Sequence, residues 1–112
     1  AYVMAVVLRE AVKNEELRKI LGSSYYELPA TEYQEVRTMS MGHAMLNGSM
    51  FSDGVYAGKS GWSENAKSTL VTAVSRNGKD LYVCTMHSES GRSPEDTWNL
   101  VSEAYAGLSG KE

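Results

Sequence analysis

The chain has 112 residues, of which 42% are hydrophobic and 22% are charged, and this composition predicts one modest globular domain or a part of one, not a disordered or fibrous chain. Eleven basic and fourteen acidic residues leave a net charge of −3, without the basic stripe that a nucleic-acid backbone requires, so we expect no nucleic-acid partner. No apolar run approaches the roughly 20 residues of a membrane-spanning helix, and the single cysteine cannot form an internal disulfide.

Two helices are predicted within residues 1–22. The apolar residues of the first recur at spacings of three and four: Met4, Val7, Leu8, Ala11 and Val12. Asn14 is placed to cap the second helix, and Gly22 is placed to end it. The acidic residues of its first turn, Glu15 and Glu16, interact favourably with the positive end of the helix dipole. Its apolar face consists of Leu17, Ile20 and Leu21.

Residues 23–55 show no helical or strand periodicity. Pro29, several glycines and mixed polar residues predict irregular chain with short strands at most. An irregular segment of this length is uncommon in a small independent domain. We therefore expect something outside the chain to cover it.

Three antiparallel strands are predicted within residues 56–86. The strand-like runs are Tyr56–Trp62, Thr69–Val74 and Leu81–Met86. The last two are joined through Asn77-Gly78, which is the strongest short signal of a hairpin because a type I′ turn needs a positive φ at both central residues.

A C-terminal helix is predicted over residues 93–108, with Ser93 as its N-cap, Pro94 at its first position and acidic residues after it. Its apolar stripe consists of Trp98, Val101, Ala104, Tyr105 and Leu108. The predicted fold class is therefore α+β, with an antiparallel sheet of three strands packed against N- and C-terminal helices.

The run Gly58-Lys59-Ser60 has the ending of a phosphate-binding loop. That motif requires a glycine five residues before its second glycine, and this chain has Asp53 at that position. The motif must also lead directly into a helix, whereas a strand pattern follows here. Nucleotide binding is therefore a remote alternative.

The triplet Lys59-Ser60-Gly61 on a strand supports a different interpretation. Such a triplet is one of three elements in penicillin-binding proteins and serine β-lactamases, the others being Ser-x-x-Lys and Ser-x-Asn. The residues that follow strengthen the match: Trp62, Ser63, Ala66, Leu70, Val71, Ala73, Arg76, Asn77, Gly78 and Leu81. Together they resemble the Lys-Thr-Gly-Tyr-Thr…Ala-Gly-x-x-Leu-Val…Ala…Asn-Gly…Leu run of the D-alanyl-D-alanine carboxypeptidases, the low-molecular-weight penicillin-binding proteins of bacterial cell walls.

The resemblance extends over nearly the whole chain but over only the C-terminal part of that family's catalytic domain. The helical segment 11–18, Pro29, Arg37 and the run from Arg92 to Thr97 are also similar to the family. The chain begins at Ala1 without a methionine or a targeting segment. We expect residues 1–112 to be the C-terminal portion of a single catalytic domain of the penicillin-binding, transpeptidase-like fold.

The resemblance implies a role for each of five residues. The Lys59 ammonium would stand beside the serine pair that moves protons, as a catalytic group. The Ser60 hydroxyl would donate to the terminal carboxylate of D-alanyl-D-alanine, and Gly61 would let the substrate backbone lie against the strand edge. The Trp62 backbone N–H would be one of two oxyanion donors, and Arg92 would bind the substrate carboxylate.

One essential element of the family, the nucleophile, is missing from this chain. Lysines stand at positions 13, 19, 59, 67, 79 and 111, and none has a serine three residues before it, so there is no Ser-x-x-Lys motif. Ser63-Glu64-Asn65 fits Ser-x-Asn but follows the triplet instead of preceding it, and we interpret this match as accidental. Lys67 and Ser68 replace the glycine and aromatic residue that are usual in the family at that point.

The function implied is therefore that of a fragment of a serine-type D-Ala-D-Ala carboxypeptidase acting on peptidoglycan stem peptides. The upstream half of the same domain would supply the nucleophile and base, so the chain alone is predicted to be inactive. The complete enzyme would react with β-lactams, need no cofactor and lie outside the cytoplasm, in the periplasm or at the cell surface and associated with the membrane. The alternative is a non-catalytic α+β binding module derived from that fold.

The remaining candidate residues predict no further site. His43 and His87 lie far apart without a Cys or His at ligand spacing, so we expect no metal. Cys84 lies within a strand among apolar residues and is expected to pack as a buried hydrophobe, not to act as a nucleophile.

Overall fold

Two short helices begin the chain in the computed structural model, which describes residues 1–47, 50, 53–89 and 91–109. They are α1, Tyr2–Ala11, and α2, Glu15–Leu21. Asn14 caps α2, because its Oδ1 accepts the backbone N–H groups of Glu16 at 3.0 Å and Leu17 at 3.1 Å. These bonds satisfy two of the donors that have no partner inside a helix at its start. The predicted cap is confirmed.

Two short strands follow and pair with each other apart from the main sheet. They are β1, Tyr25–Leu28, and β2, Arg37–Ser40, which run antiparallel with Tyr25 opposite Ser40. Nearly all of their side chains are exposed. The pair therefore contributes little to the core of this chain.

The main sheet has three antiparallel strands in the order β3-β4-β5. They are β3, Val55–Ser63, β4, Lys67–Arg76, and β5, Lys79–Ser88. The turn between β4 and β5 has φ values of 51° at Asn77 and 77° at Gly78, as a type I′ turn requires. Because β4 is central, β3 pairs along one edge only, and this leaves the triplet on an edge strand.

The central strand β4 separates two layers of packing, because its side chains alternate between the faces of the sheet. On one face Ala73 packs with Ala57 and with Leu8 and Val12 at the end of α1. The other face carries the remaining buried residues of the strand, Leu70, Thr72 and Val74. A C-terminal helix and the segment 41–47 cover that second face.

The C-terminal helix α3 spans Ser93–Ser109. The sequence-based assignment of Ser93 as its N-cap is wrong by one residue, since the Arg92 carbonyl accepts the Asp96 N–H at 2.9 Å. The Ser93 hydroxyl lies instead 2.8 Å from that of Ser68, and this hydrogen bond ties the helix to the start of β4. Of the predicted apolar stripe, Val101 is buried, Trp98, Tyr105 and Leu108 are half-buried, and Ala104 is exposed.

Further along α3, aromatic side chains bind the hairpin end of the sheet. The Tyr105 hydroxyl donates to the Lys79 carbonyl at 2.7 Å. The Arg76 guanidinium lies 5.0 Å from the Trp98 ring and 4.8 Å from the Tyr105 ring. These contacts fix the helix across the second face of the sheet.

The predicted apolar faces of α1 and α2 are only partly buried by this chain. Leu8 and Val12 are buried, whereas α2 contains no buried residue. The large apolar side chains left exposed on these two helices are Tyr2, Val3, Met4, Val7, Leu17 and Ile20. Among the described residues, no helix is both long and apolar enough to span a membrane.

Gly22 is expected to tolerate no side chain, because a Cβ atom there would lie 2.5 Å from the Tyr56 carbonyl oxygen. Gly22→Ala should therefore lower the free energy of unfolding by about 1–3 kcal/mol, since the backbone of β3 must shift. Gly107→Ala is the matched control: a Cβ there meets nothing within 4 Å, and in a helix it should add about 0.5–1 kcal/mol. Urea unfolding followed by circular dichroism measures both, and equal stability of Gly22→Ala and the original chain would contradict the close approach.

Candidate active-site strand

Strand β3 presents four consecutive residues of the candidate site at the edge of the main sheet. It pairs with β4 on one side, and no other described strand pairs with its second edge. An edge strand carries backbone N–H and C=O groups that are open to an extended peptide. The strand is therefore physically able to receive a peptide substrate by forming one more antiparallel or parallel pairing.

The register places Lys59 and Ser60 on opposite faces of the sheet. Lys59 is opposite Val71, on the α1 face, and its ammonium donates to the Ser60 carbonyl at 2.6 Å. Ser60 is opposite Leu70, on the face covered by α3. The lysine is exposed, whereas the serine is half-buried. The ammonium thus remains available to a partner that approaches from the α1 face.

The Ser60 hydroxyl is confined by the segment that precedes the sheet. A Cβ atom added at Gly42 would lie 2.7 Å from Ser60 Oγ, so a side chain there would displace the hydroxyl from its present position. Gly61 shows the same constraint towards the neighbouring strand, since a Cβ there would lie 2.8 Å from Thr69 Oγ1. Gly61 therefore has a packing reason as well as the implied role in admitting a substrate, whereas Gly42 has the packing reason alone.

Trp62 and Arg92 lie at the same end of the sheet. Trp62 is opposite Ser68 in the register, and the Ser68 hydroxyl contacts Ser93, the residue after Arg92. The Arg92 guanidinium is exposed and lies 3.8 Å from the Glu95 carboxylate, a weak ion pair within one turn. Among the described residues, no contact joins Arg92 to the triplet. The fold places Lys59 in the middle of β3 and Trp62 near its end, on the side of Arg92, without closing a site around the five candidate residues.

The side chain of His43 packs against β3, a role that was not predicted from the sequence. The side chain is fully buried, and a Cβ added at Gly58 would lie 2.6 Å from its Cδ2 atom. Its Nε2 lies 2.8 Å from the Thr72 hydroxyl, and its Nδ1 accepts the Met45 N–H at 3.3 Å. These partners assign the proton of the neutral ring to Nε2. Burial lowers the pKa of His43 to about 4, so the ring is neutral at pH 7.

The imidazole of His43 thus fixes the segment 41–47 against β3, one residue before the triplet. The only sequence signal of this packing is a glycine at position 58. The partner, Thr72, lies 29 residues further along the chain, and no local periodicity connects such positions.

The structure brings no metal-binding cluster of three or more His, Cys, Asp or Glu side chains together among the residues that it describes. Cys84 is half-buried, and its burial raises the pKa of the thiol. The thiol is therefore protonated at neutral pH, a state in which cysteine is a poor nucleophile.

Solved structures of DD-peptidases share this fold. A mutant of the Streptomyces K15 DD-transpeptidase superposes with a TM-score of 0.76 and 24% identity, over 87% of this chain and 38% of that one. The D-alanyl-D-alanine carboxypeptidase of Mycobacterium tuberculosis gives a TM-score of 0.63 and 23% identity, over 74% of this chain and 30% of that one. The fold is that of part of a DD-peptidase.

A penicillin-binding protein homologue from Mycobacterium tuberculosis gives a similar result, with a TM-score of 0.64 and 23% identity over 75% of this chain. The chain spans about a third of the length of these DD-peptidase structures, since it covers 30% to 38% of them. Comparison with protein-family models finds no match, and comparison with curated protein sequences finds none. The predicted fold class, an α+β part of a penicillin-binding, transpeptidase-like domain, is confirmed.

The buried His43 predicts a loss of stability in mild acid. Its pKa is about 4 in the folded chain, against 6.5 for an exposed histidine, so the unfolded chain binds the extra proton first as the pH falls. The free energy of unfolding should therefore fall by about 3 kcal/mol between pH 6.5 and pH 4, and recover as the pH rises.

Urea unfolding at pH 7, 6, 5 and 4.5 measures this dependence. His43→Gln should be less stable than the original chain at pH 7, and its free energy of unfolding should change little between pH 7 and pH 4.5. The control His87→Asn, at an exposed position, should keep the pH dependence of the original chain. Glu10, whose pKa is lowered by its hydrogen bond to Lys13, contributes only as the pH falls through and below 4.5. If the free energy of unfolding of His43→Gln depended on pH as in the original chain, the acid sensitivity would not come from His43.

Proposed function

We propose that the chain is the C-terminal part of a serine-type D-Ala-D-Ala carboxypeptidase domain acting on peptidoglycan stem peptides. The observation that carries this proposal is the Lys59-Ser60-Gly61 triplet on a half-paired strand of a DD-peptidase fold. The enzyme would act outside the cytoplasm, in the periplasm or at the cell surface in association with the membrane. It would need no cofactor, and the complete domain would also react with β-lactams.

In the proposed mechanism the chain binds the substrate and stabilises charge. A serine of the upstream half attacks the carbonyl carbon of the terminal peptide bond, that C–N bond breaks, and D-alanine leaves with a proton. Water then hydrolyses the acyl-enzyme. The Trp62 N–H donates to the oxygen that becomes negative, and removal of one such donor costs about 2.7–4 kcal/mol in other enzymes.

The remaining candidate residues would position the substrate. The Ser60 hydroxyl donates to the terminal carboxylate, and Arg92 at the same end of the sheet adds a cation for that carboxylate. The Lys59 ammonium is exposed on the α1 face, where it would stand beside the serine side chains of the upstream half. Gly61 leaves the strand edge open to the substrate backbone.

The exposed apolar surface of the chain supports an upstream half as its partner. Besides the residues of α1 and α2 named above, the segment that carries β1 and β2 exposes Tyr25, Tyr26, Tyr33, Val36 and Met39. Soluble monomers rarely expose so many large apolar side chains, whereas the inner surfaces of a domain do. This chain also covers only about a third of each DD-peptidase structure. An upstream half would supply the rest of such a domain.

The proposal predicts that this chain restores penicillin labelling of the separately produced upstream half. Labelling with a fluorescent penicillin, analysed on a denaturing gel, should show the label on the upstream half only when this chain is present. Ser60→Ala should slow labelling about 10- to 100-fold, because a hydrogen bond to a charged group contributes about 1.5–3 kcal/mol.

Ser75→Ala is the matched control, since Ser75 is an exposed serine of β4 and should leave the labelling rate unchanged. Equal rates for Ser60→Ala and the unmodified chain would exclude the proposed role of the triplet. Hydrolysis of a D-Ala-D-Ala peptide by this chain alone would contradict the proposal that the active site is shared between this chain and the upstream half.

A non-catalytic binding module derived from the same fold remains the second candidate, since the open edge of β3 could bind an extended peptide without any chemistry. A module predicts that D-Ala-D-Ala peptides bind without any acylation of the assembled protein. Mass spectrometry after exposure to penicillin separates the two candidates, because only the enzyme gains the mass of the ring-opened antibiotic.

A further inference from the structure

A small cavity between α1 and the main sheet has three sulfur-bearing side chains in its lining. Its volume is about 170 Å³, and the three residues are Met4, Cys84 and Met86. Among the described residues that line it there is no histidine and no carboxylate. A cavity of this size brings the side chains around it within reach of a single ion. The donors that it offers are therefore one thiol and two thioethers.

The fold brings the three sulfur-bearing residues together on the α1 face of the sheet. Cys84 is opposite Val71 in the register of β4 and β5, and Met86 follows it by two residues on the same side of β5. Met4 precedes the buried Leu8 by one helical turn and therefore lies on the same side of α1. The first helix and the last strand thus contribute to one cluster, which no spacing in the sequence predicts.

The two methionines of this cluster are open to solvent, unlike a methionine of the core. Met4 is 40% exposed and Met86 is 43% exposed, whereas Met45 is 3% exposed. Filling a gap in a core is the usual role of a methionine, and Met45 has the burial that this role requires. Cys84 is half-buried between the two exposed thioethers. An ion can therefore reach the three sulfur atoms from solvent.

The donor set determines which class of metal ion fits the cavity. Thiolate and thioether sulfur atoms are soft ligands, and together they select Cu(I). Magnesium and calcium ions require oxygen ligands, and zinc sites combine cysteine with further cysteines, histidines or carboxylates. One thiol with two thioethers matches neither of these patterns. The chemistry of the cluster therefore favours a soft ion.

The charge around the cavity favours a monovalent ion over a divalent one. The Lys59 side chain also lines the cavity and brings a positive charge to it. A monovalent ion bound by one thiolate and two neutral thioethers forms a complex without net charge. A divalent ion with the same ligands would keep one positive charge, which the ammonium would repel. Lys59 therefore discriminates against divalent ions at this place.

We propose that Met4, Cys84 and Met86 form a binding site for Cu(I) with three sulfur ligands. On binding, the Cys84 thiol releases its proton to solvent, its sulfur forms a bond to copper, and each thioether donates a lone pair. The ion enters and stays as Cu(I), so nothing is oxidised or reduced. This site goes beyond the proposed function, and its existence does not depend on that function.

Ag(I) is a suitable probe of the site, because it shares the charge and the soft-donor preference of Cu(I) and does not change its oxidation state. In ¹H–¹³C spectra of the chain labelled at its methionine methyl groups, one equivalent of Ag(I) should shift the signals of Met4 and Met86. The signals of Met39, an exposed methionine of β2, and of the buried Met45 should stay in place. One equivalent of Zn(II) should shift none of them.

The outcome that would overturn the proposal in this experiment is a uniform one. Equal shifts of Met39, Met4 and Met86 would show that the ion binds exposed thioethers without a site. Absence of a shift at both Met4 and Met86 would show that neither is a ligand. Equal effects of Zn(II) and Ag(I) would contradict the selection of a soft monovalent ion.

Variants measure the contribution of each ligand to the affinity for Cu(I) itself. In anaerobic competition with a colorimetric Cu(I) chelator, Cys84→Ser should weaken binding on the order of 100-fold and Met4→Leu and Met86→Leu about tenfold each. Leucine has nearly the volume of methionine and lacks its sulfur, so these changes preserve the packing. Met39→Leu is the matched control and should leave the affinity unchanged. Unchanged affinity in Cys84→Ser, or in both Met4→Leu and Met86→Leu, would overturn the three-sulfur site.

Discussion

The pairing of β3 along a single edge is the constraint on which the rest of this structure depends. A strand at the edge of a sheet is held by its one neighbouring strand and by side chains that pack on its face. The backbone groups of its second edge stay open to another strand or peptide. In this chain β4 supplies the neighbour, and the His43 imidazole packed on Gly58 supplies the support. The position of the Lys59-Ser60-Gly61 triplet follows from these two contacts.

The support comes from residues that have no charge at neutral pH. His43 is neutral because it is buried, and its two ring nitrogens are both used in hydrogen bonds. A charged group at this place would add its own field to the strand that is proposed to bind an anionic peptide end. A neutral imidazole holds the segment 41–47 in place and leaves Lys59 and Arg92 as the cations of the candidate site.

The local parts of this fold could be predicted from the sequence because each has a short-range physical cause. The cap at Asn14, the turn at Asn77-Gly78 and the three strands of the main sheet are determined by residues within a few positions of each other. The start of α3 was wrong by one residue, because the Ser93 hydroxyl finds Ser68 as a tertiary partner instead of capping the helix.

The parts that could not be predicted depend on distant contacts. The hydrogen bond of His43 to Thr72 joins positions 29 residues apart, and the register shift between β4 and β5 has no local sequence signal. The apolar periodicity of α1 and α2 correctly indicated helices, but Val7 and Ile20 on their apolar faces are exposed. Periodicity predicts which side of a helix becomes buried, but not by which part of a protein.

In the proposed enzyme the triplet strand forms half of an acylation site. The most direct test is a crystal structure of this chain assembled with the upstream half and acylated by benzylpenicillin. We expect an acyl carbonyl oxygen about 2.7–3.1 Å from the Trp62 nitrogen and the antibiotic carboxylate beside the Ser60 hydroxyl. An acyl group held away from β3, with no contact to either residue, would contradict it.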